Sequence, residues 1–301
     1  MIIFVNEAKV SDMTKKDFFG VEVKHFRSNE FIRLRNKLFP VNQPLVMAIL
    51  NATPDSFYSE SRRHDNSELT DFLETCQAQG VSFIDLGAQS TRPGSTPISS
   101  EEQIERLRPL VARIRNEFPS FFISIDTSCP KVAAWALDQG ADLINDVEGG
   151  KNNPEIWDVC ARYNAPYILM HSRGELTEMH AEQVYQNITV EVLQELSTQL
   201  NSIKKAGVKD IIIDPGFGFS KSLIENRKLL NNLPLFQLFG IPILVGFSRK
   251  SMIYKTLNTS PENALNGTSI LNTFAVLNGA TFLRVHDPKE ATEVIKLLKQ
   301  E

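Results

Sequence analysis

Three aspartates, two asparagines, a histidine and an arginine each stand at the end of a short apolar run in this 301-residue sequence. Leu45–Leu50 ends at Asn51, Phe83–Ile84 at Asp85, Phe122–Ile125 at Asp126 and Ala141–Ile144 at Asn145. Tyr167–Met170 ends at His171, Ile211–Ile213 at Asp214 and Thr281–Leu283 at Arg284. An eighth run, Ile241–Val245, passes through Gly246 and Phe247 to Ser248, Arg249 and Lys250. These types cover the polar repertoire of an enzyme: carboxylates accept hydrogen bonds, amides donate and accept, and Arg and Lys donate and carry positive charge. A lone aspartate at a strand end is more often a helix cap than a catalyst. Seven polar residues in order, each closing its own run, read as an active site.

Helix-patterned stretches separate all eight runs. Alternation of strand and helix implies a parallel sheet, and eight such units predict a single (β/α)8 TIM-type barrel, whose chemistry sits at the C-terminal ends of its strands. The barrel is expected over residues 44–301, after an N-terminal extension (1–43), rich in Lys, Arg and Phe, that is expected to pack on the barrel floor or stay partly disordered. Ser99 and Glu102 fit a capping box opening a helix with Ile104, Leu107, Leu110, Val111 and Ile114 on one face. The longest helical stretch is expected over 181–205, stopping before Gly207, and another from about Pro261 to Gly279.

Composition excludes several classes. The formal net charge is -4, with no basic block, so nucleic acid is not a partner. Three scattered cysteines, Cys76, Cys129 and Cys160, form no CxxC pair and read as reduced thiols of a cytoplasmic protein. No run reaches membrane-spanning length, and Met1–Val5 is too short for a signal peptide.

The loops after the strands carry a more specific pattern. They read Asn51-Ala52-Thr53-Pro54-Asp55-Ser56-Phe57, Gly87-Ala88-Gln89-Ser90-Thr91-Arg92-Pro93-Gly94, Asp214-Pro215-Gly216-Phe217-Gly218-Phe219, Ser248-Arg249-Lys250 and Arg284-Val285-His286. In these motifs, from Leu45 to about Lys299, the chain resembles the dihydropteroate synthase family of pterin-binding barrels. The resemblance implies condensation of 6-hydroxymethyl-7,8-dihydropterin diphosphate with 4-aminobenzoate. It assigns the pterin to Asp214, whose carboxylate accepts a paired amino group and ring N–H. Asn145 would serve the mixed donor–acceptor edge, and Lys250 the carbonyl oxygen and neighbouring nitrogen. The diphosphate falls to Arg284 and His286, two apart on one strand face, and to Thr91. Asn51 would offer a hard oxygen to Mg²⁺. Asp126 would stabilise positive charge developing on the pterin, making Asp126 and Lys250 the catalytic pair. Phe57, Arg92, Pro93, Phe219 and Ser251 would build the aminobenzoate pocket, although Arg92 suits the phosphate as well. A homodimer is usual in the family.

The sequence departs from the family after Phe57, where Tyr58-Ser59-Glu60-Ser61-Arg62-Arg63 replaces a glycine-containing turn. His171 reads as a structural histidine. A strand-end lysine can also form a Schiff base, but nothing else here favours a carbonyl substrate. Two other readings stay open: a pterin-binding methyltransferase, which needs no diphosphate site, and a non-catalytic pterin-binding paralogue.

Overall fold

The computed structural model describes residues 14–16, 22–24, 30–52, 65–89, 98–174 and 181–299. Two antiparallel pairs come first: β1 (Thr14–Lys16) with β2 (Glu22–Lys24), and β3 (Phe31–Leu34) with β4 (Lys37–Pro40). The barrel follows as β5 (Leu45–Asn51), β6 (Phe83–Gly87), β7 (Phe122–Asp126), β8 (Leu143–Asp146), β9 (Tyr167–Met170), β10 (Ile211–Asp214), β11 (Leu244–Val245) and β12 (Phe282–Val285). All eight run parallel in the order β10-β9-β8-β7-β6-β5-β12-β11. The two ends of this sheet meet through a parallel bridge between Ile213 and Ile243, with the Ile213 amide donating to Pro242 O at 3.0 Å. The expected eight-stranded barrel is therefore present and nearly closed.

Strand periodicity sorts its residues into two cores. Val46, Ala48, Leu50, Ile84, Leu86, Ile123, Ile125, Ile144, Tyr167 and Leu169 point outward and pack under the helices. Those helices are α1 (Asp65–Ala78), α2 (Ser100–Glu117), α3 (Pro130–Asp138), α4 (Glu155–Tyr163), α5 (Ile188–Lys205), α6 (Leu223–Asn231), the single turn α7 (Ser251–Tyr254), α8 (Leu265–Leu277) and α9 (Pro288–Leu298). The inward set forms a second core: Met47, Phe83, Leu143, Ile168, Ile212, Leu244 and Phe282, with Ile32, Leu34 and Val41 of the β3–β4 hairpin and its approach packed against them. Phe83 meets Phe39, Phe122 and Phe282 at ring-centroid distances of 5.6, 5.2 and 5.3 Å. Each such pair contributes about 0.5–1.5 kcal/mol beyond burial. The floor of the barrel is thus a filled apolar layer.

The hairpin turns through Arg35 and Asn36, both with positive φ (48° and 61°), the conformation that a tight two-residue hairpin needs. Arg35 then reaches the barrel, with Nε donating to Asp142 Oδ1 at 2.8 Å and Nη1 to Pro119 O at 2.7 Å. Asp142 also accepts from Arg115 and from the Ile123 amide.

Three helix expectations are corrected. Ser99 caps α2 by accepting from the Glu102 amide at 3.2 Å, but the Glu102 carboxylate turns to Arg106 instead of completing the box. A complete capping box is found instead at Ser222 and Glu225. The stretch expected from 181 becomes helical only at Ile188, because Asn187 caps it, accepting from the Val190 amide at 3.3 Å. The helix expected from Pro261 is broken: Pro261–Asn263 is one 3-10 turn, and Ala264, with ψ of 4°, separates it from α8.

Candidate active site

Directly above the apolar floor the inward positions turn polar. Asp85 lies two residues beyond Phe83, Asn145 two beyond Leu143, Asp214 two beyond Ile212 and Arg284 two beyond Phe282. One strand step is enough to move a residue from the sealed layer to the mouth.

Arg284 sits at the centre. Its Nε donates to Asp85 Oδ2 at 2.6 Å and its Nη2 to Asp126 Oδ2 at 2.7 Å, joining β12 to β6 and β7 across the barrel. Asn145 Nδ2 donates to the same Asp85 oxygen at 3.1 Å. Burial pushes the Asp126 carboxyl up to about 7; Arg284 opposes this, and the Asp85 and Asp146 carboxylates add to it.

Asp214 and Lys250 share the neighbouring wall. Asp214 Oδ1 accepts from the Gly216 amide at 2.7 Å, which fixes the carboxylate plane. Burial raises the Asp214 carboxyl, against the pull of Lys250 and of that amide. The Lys250 ammonium donates to Phe217 O and stands 4.2 Å from the centroid of the Phe219 ring, a cation–π contact. Burial lowers Lys250 to about 8, opposed by Asp214. The loop between Asp214 and Phe219 must be glycine-rich for two reasons. Gly216 (φ 71°) passes so close to His171 that a Cβ would lie 1.9 Å from its carbonyl oxygen, and at Gly218 (φ 79°) a Cβ would lie 2.9 Å from Lys250 Cδ.

Asn51 ends β5 and pairs in register with Gly87, which in turn pairs with Asp126. A Cβ on Gly87 would stand 3.3 Å from Asn51 Oδ1 and 3.7 Å from Asp126 Cβ. Glycine there keeps a Cβ out of tight contact with the Asn51 amide oxygen, a neutral hard donor. That donor set fits Mg²⁺, which keeps several waters and needs few protein ligands. Among the described residues no cluster of three His, Cys, Asp or Glu could hold a metal by itself. His286 follows β12 on the inner face, its amide donating to Ser248 Oγ and its Nδ1 3.0 Å from the same oxygen. Ser251 is the first residue of α7, and Phe219 packs with Val147 and Met170. Phe57, Thr91, Arg92 and Pro93 lie outside the described residues.

The structure thus gathers Asn51, Asp126, Asn145, Asp214, Phe219, Lys250, Ser251, Arg284 and His286 at one end of the barrel. A family profile described as "Pterin binding enzyme" matches residues 47–286, and a dihydropteroate synthase of Clostridium beijerinckii is 38% identical, covering 88% of this chain and 97% of its own length. The chain belongs to the dihydropteroate synthase family of pterin-binding enzymes. Solved dihydropteroate synthases superpose closely. One from Yersinia pestis with a sulfonamide drug is 32% identical, with a TM-score of 0.81 over 89% of this chain and 97% of that one. One from Xanthomonas albilineans with 4-aminobenzoic acid is 32% identical, with a TM-score of 0.80 over the same shares.

Two residues within this dihydropteroate synthase barrel escaped the sequence reading. Asp85 was visible only as a strand-end carboxylate, yet it is fully buried and holds both Arg284 and Asn145. Lys221 is buried behind the Asp214 loop, donating to His171 O, Gly216 O and Phe219 O at 3.2, 2.9 and 3.0 Å. Its one sequence signal was a lysine just past a glycine-rich loop. His171 follows the outward parity of Tyr167 and Leu169. Its Nε2 lies 3.0 Å from Glu195 Oε2, and burial lowers it to about 3, so a neutral imidazole donates to that carboxylate.

Proposed function

We propose that the chain is a dihydropteroate synthase, which joins 6-hydroxymethyl-7,8-dihydropterin diphosphate to 4-aminobenzoate and releases pyrophosphate. The observation that carries this is Arg284 suspended between Asp85 and Asp126, within the mouth that Asn145, Asp214 and Lys250 also line. Asp214 accepts the pterin amino group and ring N–H, Asn145 meets the mixed edge, and Lys250 donates to the carbonyl side. Arg284, His286 and Thr91 hold the diphosphate. Asn51 would hold Mg²⁺ through its amide oxygen, and the ion supplies charge neutralisation for the leaving pyrophosphate.

Asp126 then acts on the other end of the breaking bond. The C–O bond to the diphosphate breaks with its electron pair leaving on pyrophosphate, and positive charge develops on the pterin methylene. An ionised Asp126 stabilises that charge where it forms. The aminobenzoate nitrogen adds its lone pair to make the C–N bond and then loses a proton. Phe57, Arg92, Pro93, Phe219 and Ser251 shape the aminobenzoate pocket, where a sulfonamide mimic would also bind.

The test is formation of 7,8-dihydropteroate from both substrates with Mg²⁺. Pterin binding without product would mark a non-catalytic paralogue, and methyl transfer from a methylated pterin would mark the other branch. The proposal extends to a cytoplasmic homodimer. Supporting the dimer, Ile270, Phe274 and Leu277 are exposed at helical spacing on α8, and Leu235 and Leu238 are exposed on the 3-10 segment Leu233–Phe239, whose Gln237 donates to Asn278 O at the end of α8. Light scattering should give twice the chain mass of 33.9 kDa; the chain mass itself would refute it. No helix among the described residues is long and apolar enough to cross a membrane.

A further inference from the structure

Asp85 has no task in the reaction just described, although it is 0% exposed at the centre of the site. Its Oδ2 accepts from Arg284 Nε at 2.6 Å and from Asn145 Nδ2 at 3.1 Å, while Oδ1 has no hydrogen-bond partner. Two bonds converging on one buried oxygen constrain more than position. A guanidinium only donates, so the shared oxygen acts as an acceptor. An amide facing that acceptor must turn its nitrogen to it, and its own oxygen then points away. Asn145, 3% exposed, has little room to settle otherwise. The side chain that can in principle show either polarity is held to one.

We propose that Asp85 is a positioning residue that locks the Asn145 amide with its oxygen toward the ligand, and so makes the site select a 7,8-dihydropterin over the oxidised ring. This rests on the functional reading above and deepens it. The two ring states differ at the edge assigned to Asn145. In the dihydropterin, N8 carries a hydrogen and donates; in the oxidised pterin, N8 is a bare acceptor. A locked amide oxygen gains a hydrogen bond with the first and faces a lone pair in the second. An amide free to turn would serve either. The neighbouring N1 is an acceptor in both states, and the remaining Asn145 N–H can meet it without discriminating. Selection therefore depends on the lock and not on the presence of Asn145 alone.

The test compares affinities of 6-hydroxymethyl-7,8-dihydropterin and 6-hydroxymethylpterin by calorimetry, under argon. The full chain should prefer the dihydropterin roughly tenfold, the value of one hydrogen bond made or lost in a buried site. Asp85→Ala removes the acceptor and should bring the ratio to within about twofold of unity. Asp85→Asn retains an acceptor oxygen and should restore the preference. A purely structural role would weaken both ligands by the same factor and leave the ratio alone, and that result would overturn the proposal. Asn145→Ala is the second route: it should also abolish the preference, and a ratio unchanged there overturns the proposal even if Asp85→Ala does not fold. Wild-type protein that binds neither pterin would instead overturn the functional reading, and the proposal with it. Wild-type that binds both equally would sink the proposal alone.

Discussion

At the scale of single residues, two buried carboxylates have been given opposite tasks, and kinetics can separate them. In the proposed reaction Asp214 would meet an edge that the pterin presents in its ground state, whereas Asp126 would meet a charge that exists only as the C–O bond breaks. Interactions shared by ground and transition states set binding; those made only in the transition state set turnover. Asp214→Asn should therefore raise the pterin KM and weaken pterin binding, while Asp126→Asn should lower kcat with little change in KM. Each loss of a charged hydrogen-bonding partner should cost about 1.5–3 kcal/mol, a factor of roughly 10 to 150. An unchanged KM for the first variant would remove Asp214 from the pterin site. The same residues fix a pH profile. Asp126, raised to about 7, must be ionised to oppose a developing cation, so activity should fall as pH drops below that value. Lys250, lowered to about 8, must be protonated to donate, so activity should fall again above it. The expected kcat/KM profile is a narrow bell centred between the two, and a flat profile over that range would mean that neither group titrates in catalysis.

At the scale of elements, the loop after β10 is where backbone shape and chemistry are most tightly bound. Gly218 adopts φ of 79° beneath the Lys250 side chain. In Gly218→Ala, a left-handed non-glycine residue costs about 1–2 kcal/mol, and the new methyl would press on a lysine already seated against Phe217 O and the Phe219 ring. The pterin KM should rise several-fold while the melting temperature drops by a few degrees; loss of stability with an unchanged KM would show that Lys250 does not touch the pterin. What the sequence made legible follows from the same geometry. Strand ends announce themselves because an apolar run stops where its inward residue first meets the mouth, so Asn51, Asp126, Asn145, Asp214 and Arg284 could be placed from periodicity and motif together. Asp85 closes such a run too, but its role depends on Arg284, 199 residues away, and on Asn145, 60 away. No local pattern reports a partner at that distance. Lys221 was silent for a related reason: its three acceptors are backbone carbonyls, which every sequence has. α5 starts later than the helical pattern before it because Asn187 caps the helix at that point. In α2, by contrast, the same capping logic succeeded on the Ser99 side.

At the scale of the whole molecule, the barrel divides its labour between two ends, and the division can be tested from the end without chemistry. The β3–β4 hairpin covers the floor opposite the mouth, and Arg35 fastens it by bonds to Asp142 and Pro119 O. Asp142 keeps Arg115 and the Ile123 amide when Arg35 is lost, so Arg35→Ala leaves no bare buried charge. The variant should lose roughly 1.5–3 kcal/mol, the value of hydrogen bonds to a charged group, and melt several degrees lower. Its kcat and KM should stay those of the parent, because no contact of Arg35 reaches the site. Phe83→Ala should behave differently, although Phe83 is also a floor residue. It is fully buried in the aromatic cluster and stands two positions below Asp85 on the same strand. Removing a buried Phe costs about 3–5 kcal/mol, and the cavity lets neighbours relax into it. Relaxation of β6 would move Asp85, and with it Arg284 and Asn145. Thermal melts and steady-state kinetics on the two variants decide the matter. Stability should fall in both, but pterin affinity and turnover only in Phe83→Ala. Equal kinetic damage from Arg35→Ala would mean that the floor and the mouth form one mechanical unit, and the layer of Met47, Phe83 and Phe282 would not be the buffer that its packing implies.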